Sequence, residues 1–271
     1  MNLTLQDIVI VVWFNDVGER FRNFWLNIAV WFKDLIADIQ FVFFEKDRYM
    51  QLVNGLLNTL KITAGALVIG VIIGIVIAAI RTSFDKNKES MKLRGGIGYY
   101  ILAILNGICK IYLTIVRGTP VVVQLMISYF VIFASSDDGV MVGIIAFGFN
   151  SGAYVAEIFR AGIMSIDQGQ FEAGRSLGFN YFQTMRFIII PQMFKAVLPT
   201  LCNEFIALLK ETSVAGYVGV IDLTKAGNVI AGRTFIYFIP LITVALIYLI
   251  MVMILSWLVG ILERRLRKSD R

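Results

Sequence analysis

The side chains of this chain that could do chemistry are few, and most sit inside long apolar runs. Asn203 and Glu204 fall near the middle of one such run. Glu157 and Arg160 fall near the end of another, Lys210 and Glu211 near the far end of the run that holds Glu204, and Arg117 and Gln124 flank the Gly118-Thr119-Pro120 interruption. An ionised group at the centre of a membrane helix costs roughly 2.5–3.5 kcal/mol on insertion scales, so it is expected to face a partner charge, a cavity or a solute pathway. The structural alternative pairs Glu157 with Arg160 or Arg117, and Lys210 with Glu211, to hold helices together. Tyr154 and Thr212 fit either role. Gly148, Asn150, Ser151, Gly152 and Ala153 form a patch of small residues that reads first as close helix packing.

Several chemistries are absent from the sequence. There is no histidine, which removes histidine-based triads, histidine metal sites and histidine proton relays. Cys109 and Cys202 lie in apolar surroundings without metal-ligand spacing and read as small buried hydrophobes, so neither a metal site nor a disulfide is expected. No G-x-x-x-x-G-K-[ST] loop occurs, and the glycines of residues 95–100 (GGIGYY) lack its spacing and lysine. Any ATP must therefore be handled by another polypeptide.

The elements that must position these residues are membrane helices. Hydrophobic residues make up 58% of the 271, and the mean hydropathy is +0.77, well above a soluble domain of about 45–50% apolar content. The net charge of +6 could suggest nucleic acid, but the cations cluster beside apolar runs, as at cytoplasmic membrane borders. No nucleic-acid partner is expected. The chain opens with Asp7 rather than a basic segment, so no cleaved signal is expected.

A span needs about 20 apolar residues. Residues 56–80, 139–158, 198–220 and 235–262 each supply one, whereas residues 97–135 would measure roughly 58 Å as one helix. Three segments carry excess cations: residues 81–94 hold five bases and two acids, residues 160–195 four and two, and residues 263–271 five and two. The positive-inside tendency places all three in the cytoplasm. Two inside segments require an even number of crossings between them, so residues 97–135 must cross once. That region reads as a helix that starts along the cytoplasmic surface, breaks at Arg117-Gly118-Thr119-Pro120 and then traverses outward. Five crossings result, with the C-terminus inside, where Arg264, Arg265, Arg267 and Lys268 anchor it at lipid headgroups. Within residues 22–44, Asn23, Asn27, Asp34 and Asp38 share one stripe, and Phe24, Trp25, Ile28, Trp31, Phe32, Leu35 and Ile39 cover the rest. This pattern predicts an amphipathic helix in the membrane interface.

Between two spans lies EAGRSLGFNYFQTMRFIIIP, residues 172–191, whose Glu, Arg and Gly punctuation suits a compact helix-turn-helix. A short helix over residues 171–177 would end at Gly178, leaving Glu172, Ala173 and Gly174 on a small approachable face. A capped surface helix with a Glu172–Arg175 ion pair is the plain alternative.

These residues resemble the permease subunits of ATP-binding-cassette importers, in particular the polar amino acid uptake group that includes histidine and glutamine permeases. The resemblance rests on Glu172-Ala173-Gly174, Gly178, Ile188 and Ile190-Pro191, where the family has Glu-Ala-Ala, Gly, Ile and Leu-Pro. It extends to RGTPVVVQL (117–125), NSGAYVAEIFRAGI (150–163), GQFEAGRSLG (169–178) and NEFIALLKETS (203–213), covering about residue 49 to the C-terminus. Gly174 and Ile190 depart from the family pattern by small or apolar exchanges.

The resemblance implies an all-α integral membrane protein with five core transmembrane helices of the type I ABC importer permease kind, plus the N-terminal interfacial amphipathic helix. Residues 1–48 would form an N-terminal extension and 49–271 the permease domain, with a cytoplasmic coupling loop over about 164–191. Gln170, Glu172, Ala173, Gly174, Ser176, Leu177 and Gly178 would seat in a groove of a separate ATPase subunit, which would hold ATP and Mg; no cofactor is expected on this chain. The other implied partners are a second permease, identical or homologous, and an extracellular or periplasmic solute-binding protein. A polar amino acid carries an ammonium and a carboxylate. Glu157, Asn203 and Glu204 would accept from the first, while Arg117, Gln124 and Lys210 would donate to the second or to a polar tail, with Asn150, Tyr154 and Thr212 as further contacts. The chain would reside in the cytoplasmic membrane of a prokaryote. An ion-coupled secondary transporter or channel is the alternative, but no inverted repeat is evident and residues 172–191 would go unexplained.

Overall fold

A computed structural model of the chain describes residues 5–94 and 96–268. Its described residues fold into helices: α1 (Leu5–Ile39), α2 (Tyr49–Arg94), α3 (Ile97–Gly118), α4 (Val121–Ile132), α5 (Gly139–Met164), α6 (Gln168–Ser176), α7 (Tyr181–Val218), α8 (Leu223–Thr234) and α9 (Phe238–Lys268). Five stretches are long and apolar enough to cross a membrane: Tyr49–Lys86, Ile97–Gly118, Gly139–Met164, Tyr181–Val218 and Phe238–Leu266.

The number of crossings agrees with the sequence, but one of them moves. The outward crossing was expected after the break at Pro120, with the preceding helix along the surface. Instead α3 is a 22-residue span ahead of the break, and α4 behind it has 12 residues, roughly 18 Å of helix. Parity counts crossings between two inside segments without telling which side of a break crosses. The break itself stands where proline demands it: Thr119 and Pro120 are both extended, at ψ 148 and 135.

The central pair is α2 and α5. In a bilayer, lipid tails are as apolar as leucine, so helices associate through close packing rather than by escaping water. The sequence supplies that fit. A Cβ on Gly148 would sit 2.7 Å from Ile69 Cβ, and one on Gly74 would sit 2.5 Å from Val155 Cγ1. Around this seam, Phe147, Ile62, Leu125 and Leu208 are fully buried near the α4 end of the bundle. Val155, Phe159, Ile189, Met193 and Val197 fill the end nearest α6.

The outer faces are as apolar as the core. On α3, Ile101, Ile104, Ile108, Ile111 and Ile115 repeat at helical spacing and are all more than half exposed. A stripe of that kind is a liability in water and an ordinary lipid-facing surface in a bilayer.

The N-terminal helix is longer than its amphipathic stripe suggested, and its flank stands clear of the bundle: Phe24, Trp25 and Trp31 are each more than half exposed. Among the residues whose side chains are described, those at its end are tied down. Leu35 and Ile39 pack beside Val42 and Phe43, which are buried against Leu223, Ile230 and Val244. A left-handed turn at Lys46 and Asp47 then redirects the chain into α2. Arg48 holds this turn by donating to the Phe41 carbonyl at 2.6 Å. The side chains of Arg267 and Lys268, part of the expected C-terminal anchor, lie outside the described residues.

Candidate functional site

Two groups of polar residues matter, one inside the bundle and one on the hairpin between α5 and α7. The inner group is organised by α5. Asn150, almost fully buried, donates from Nδ2 to Gln124 Oε1 at 2.9 Å. Gln124 in turn donates to the Val116 carbonyl at 2.8 Å and to Thr119 Oγ1 at 2.7 Å, bridging the gap that Pro120 opens in the helical ladder. One turn further along α5, Tyr154 lies under Arg117, whose Cζ is 5.7 Å from the ring centre. Ser151, next to Asn150, donates to Glu204 Oε1 on α7 at 3.1 Å.

The fold therefore joins Gln124 to Asn150 and Arg117 to Tyr154 along α5, and sets Glu204 against Ser151, the residue next to Asn150. Glu157 goes elsewhere: its Oε1 accepts from Arg81 Nη1 at 2.6 Å, and its Oε2 is 3.8 Å from Arg160 Nη1. This is the structural pairing anticipated for it, with Arg81 as an added partner. Thr212 is fully buried and donates to the Leu209 carbonyl of its own helix at 2.8 Å, so its hydroxyl is committed to the helix end. Asn203, Lys210 and Glu211 are exposed, and among the described residues no ion pair joins Lys210 to Glu211.

Thr119, Ser151 and Arg81 were not among the predicted site residues. Arg81 belongs to a cation cluster that reads as a membrane border. Only its one-turn spacing from Asp85, opposite Glu157 and Arg160 at i, i+3, could have singled it out.

The hairpin is built by caps. Asp167 accepts from the Gly169 amide and starts α6 one turn earlier than expected. Gly178 ends it at φ +80, with Gly178 N donating to Arg175 O at 2.9 Å and Phe179 N to Gly174 O at 3.0 Å. This is the Schellman pattern that glycine favours. Asn180 and Gln183 then exchange two 2.9 Å hydrogen bonds as a capping box and launch α7. A wider turn at Met185–Ile189 precedes Pro191, which has no N–H for a regular helical bond.

Glu172, Ala173, Ser176, Leu177 and Gly178 are exposed on this hairpin. Gly174 departs from the expected open face: it is buried, and a Cβ there would meet the Thr184 side chain at 2.7 Å. Gln170 is half-buried and accepts from Gln192 Nε2 at 3.2 Å. Among the described residues no ion pair joins Glu172 to Arg175. The hairpin thus has a closed inner side, with Gly174 under it, and an outer side whose apolar tip, Leu177, is 70% exposed.

Residues 70–268, which include this capped hairpin, match a known family, that of binding-protein-dependent transport system inner membrane components. This chain belongs to that family. A putative glutamine transport system permease protein of Rickettsia bellii is 37% identical over 218 residues, 79% of this chain and 92% of that protein. The arginine transport system permease protein of Bacillus subtilis is 36% identical over 222 residues, covering 81% of this chain and 94% of its own. Among solved structures, a chain of an amino acid ABC transporter crystallised with histidines superposes with a TM-score of 0.70 at 38% identity, covering 82% of this permease component and 98% of that chain. A chain from inward facing conformations of the MetNI methionine ABC transporter gives a TM-score of 0.66 at 20% identity over 80% of this chain, a likeness of fold. The inner-membrane component is thus a transport subunit of the type I ABC importer permease fold.

Proposed function

We propose that this permease component carries a polar amino acid across the cytoplasmic membrane by alternating access, driven by ATP hydrolysis on a separate ATP-binding-cassette subunit. The observation that carries the reading is the hairpin. Caps at Asp167, Gly178 and Asn180 make it rigid, and it offers Glu172, Ala173, Ser176 and Leu177 outward, as a docking element must. The amino acid is supported by the relatives, whose names cite glutamine and arginine, and by a cluster holding both a cation and a carboxylate. In this reading Glu204 accepts from the ammonium, and Arg117 with Gln124 serves the carboxylate or polar tail. Asn150 and Tyr154 line the same passage. Asn203 and Lys210 lie on its approach.

A second permease copy or homologue completes the pathway, and an extracellular or periplasmic solute-binding protein delivers the amino acid. ATP and Mg reside on the ATPase. Nucleotide binding closes the ATPase pair and tips the helices outward-open, and hydrolysis resets them, which requires two states that both ligands bias. The cation-rich ends of α2 and α9 and the hairpin face the cytoplasm, so the C-terminus is inside. Residues 1–48 form an extension whose helix lies in the membrane interface, with residues 49–271 as the permease domain.

The test is the pair Glu172→Lys and Gly178→Asp in the intact complex. The expected result is loss of the co-purifying ATPase and of ATP-driven uptake in vesicles. Retained co-purification with unchanged transport-coupled hydrolysis would overturn the docking assignment, and uptake by the isolated chain following an ion gradient would indicate a secondary transporter.

A further inference from the structure

The hairpin helix α6 is held to the bundle on two sides. On one side it rests on α7, through Gly174 under Thr184 and through the Gln170–Gln192 hydrogen bond. On the other side it meets the end of α2, with which it shares no chain connection. There Lys86 Nζ lies 3.1 Å from the centre of the Phe171 ring, well within the range of a cation over an aromatic face.

The neighbouring residue on α2, Asp85, is tied to α5: its Oδ2 accepts from Arg160 Nη2 at 3.0 Å and from Nε at 3.3 Å. Arg160 also faces Glu157, which takes the bond from Arg81 one turn back on α2. The four side chains of this network, Arg81, Glu157, Arg160 and Asp85, are between 14% and 32% exposed. They are screened far less than surface ions, and their geometry is correspondingly specific.

Phe171 also packs beside the apolar cluster that holds Ala78 of α2 with Val155 and Phe159 of α5. A cavity of about 430 Å³, lined by Asp85, Lys86, Phe171, Arg175, Tyr181 and Thr184, lies beside the Lys86–Phe171 contact. Dense packing would transmit a displacement of α6 through many atoms at once. Here the polar part of the contact is confined to the tips of a few side chains. Beyond those tips α2 and α5 are in backbone-close contact, so a displacement delivered to Asp85 and Lys86 moves both helices together.

We infer that Asp85, Lys86 and Phe171 form a second coupling arm, in which Asp85 and Lys86 are positioning residues that carry a displacement of α6 to the α2–α5 pair. This rests on the proposed docking of α6 to an ATPase. Residues 165–167 already tie α6 to α5 along the chain; the contacts of Asp85 and Lys86 add α2, the helix packed along α5. With both arms, the two walls of the passage move in register with the hydrolysis cycle.

The experiment reads amino acid imported per ATP hydrolysed, in the complete complex reconstituted in vesicles, for Asp85→Asn, Lys86→Gln, Arg160→Gln, Phe171→Leu and the double variant Asp85→Asn with Arg160→Gln. The expected result is retained co-purification of the ATPase with hydrolysis per solute raised about fivefold or more, the scale of an ordinary coupling free energy. The double variant should match Arg160→Gln alone, because losing Arg160 already breaks its bond to Asp85. Phe171→Leu keeps apolar volume and removes only the ring face, so it reports even if the charge variants fail to accumulate.

An unchanged ratio would overturn the inference. So would a proportional fall in uptake and hydrolysis, which a merely structural role predicts, or loss of the ATPase from these variants. Failure of the unaltered chain to bind any ATPase defeats the parent reading instead, and is seen before any variant is made.

Discussion

Asp222 is fully buried at the start of α8 and caps it with both oxygens, accepting from Thr224 N at 2.9 Å and Lys225 N at 3.0 Å. Burial pushes its carboxyl pKa above the ordinary value, and the two backbone bonds offset this only in part. The sign follows from linkage. Below the ordinary carboxylate value of about 4, the folded and unfolded chains are both protonated. As pH rises through the raised folded value, the fold must hold a charge that the unfolded chain carries in water, and stability declines. Asp222→Asn keeps a cap acceptor and removes that charge. Thermal unfolding in detergent should show its midpoint gaining on the unaltered protein from pH 4 to neutrality, whereas Asp222→Ala should lose about 1 kcal/mol at acid pH, where the carboxyl is neutral, and less as pH rises. At this scale the sequence was readable where one residue suffices: Gly178 takes the left-handed conformation expected of it. It was unreadable where a partner decides, as for Glu157, whose nearest cation is Arg81, 76 positions away.

The α2–α5 seam is the element on which the others are hung, and it depends on what is missing from it. At Gly74 an added Cβ would meet Val155 Cγ1 at 2.5 Å and the Ala156 backbone nitrogen at 2.9 Å. Gly74→Ala should therefore destabilise by about 1–3 kcal/mol, since an overpacked core must shift backbone to make room. Val155→Ala in the same chain should recover only part of this in detergent melts, because the backbone contact remains. Full recovery would show that side-chain volume alone sets the spacing. Element identity was largely legible, because apolar runs of span length admit few readings. The place of the crossing within residues 97–135 was not, because a proline break marks where a helix stops and not which half is immersed.

Across the whole molecule, the described residues of the N-terminal extension join the bundle near its end. Removing residues 1–34 takes away the exposed flank with Phe24, Trp25 and Trp31 but leaves Leu35, Ile39, Val42 and Phe43 against α8 and α9. That truncation should leave the melting of the bundle within about 0.5 kcal/mol of the full chain. Phe43→Ala, by contrast, should cost about 3 kcal/mol by opening a cavity among Leu223, Ile230 and Val244. Equal effects of the two changes would mean that the exposed flank also bears on the bundle.

The sequence by itself determined the solvent, the number of crossings and the hairpin. Composition sets the first, charge asymmetry and length set the second, and glycine and side-chain caps act within a few residues of where they stand. Tertiary structure alone decided which polar groups meet. It paired Gln124 with Asn150 and Ser151 with Glu204, turned Gly174 inward onto Thr184, and set Lys86 over Phe171. Those contacts depend on the rotation and register of whole helices against one another. Both are set by packing summed over many residues that are distant in sequence, so no local pattern encodes them.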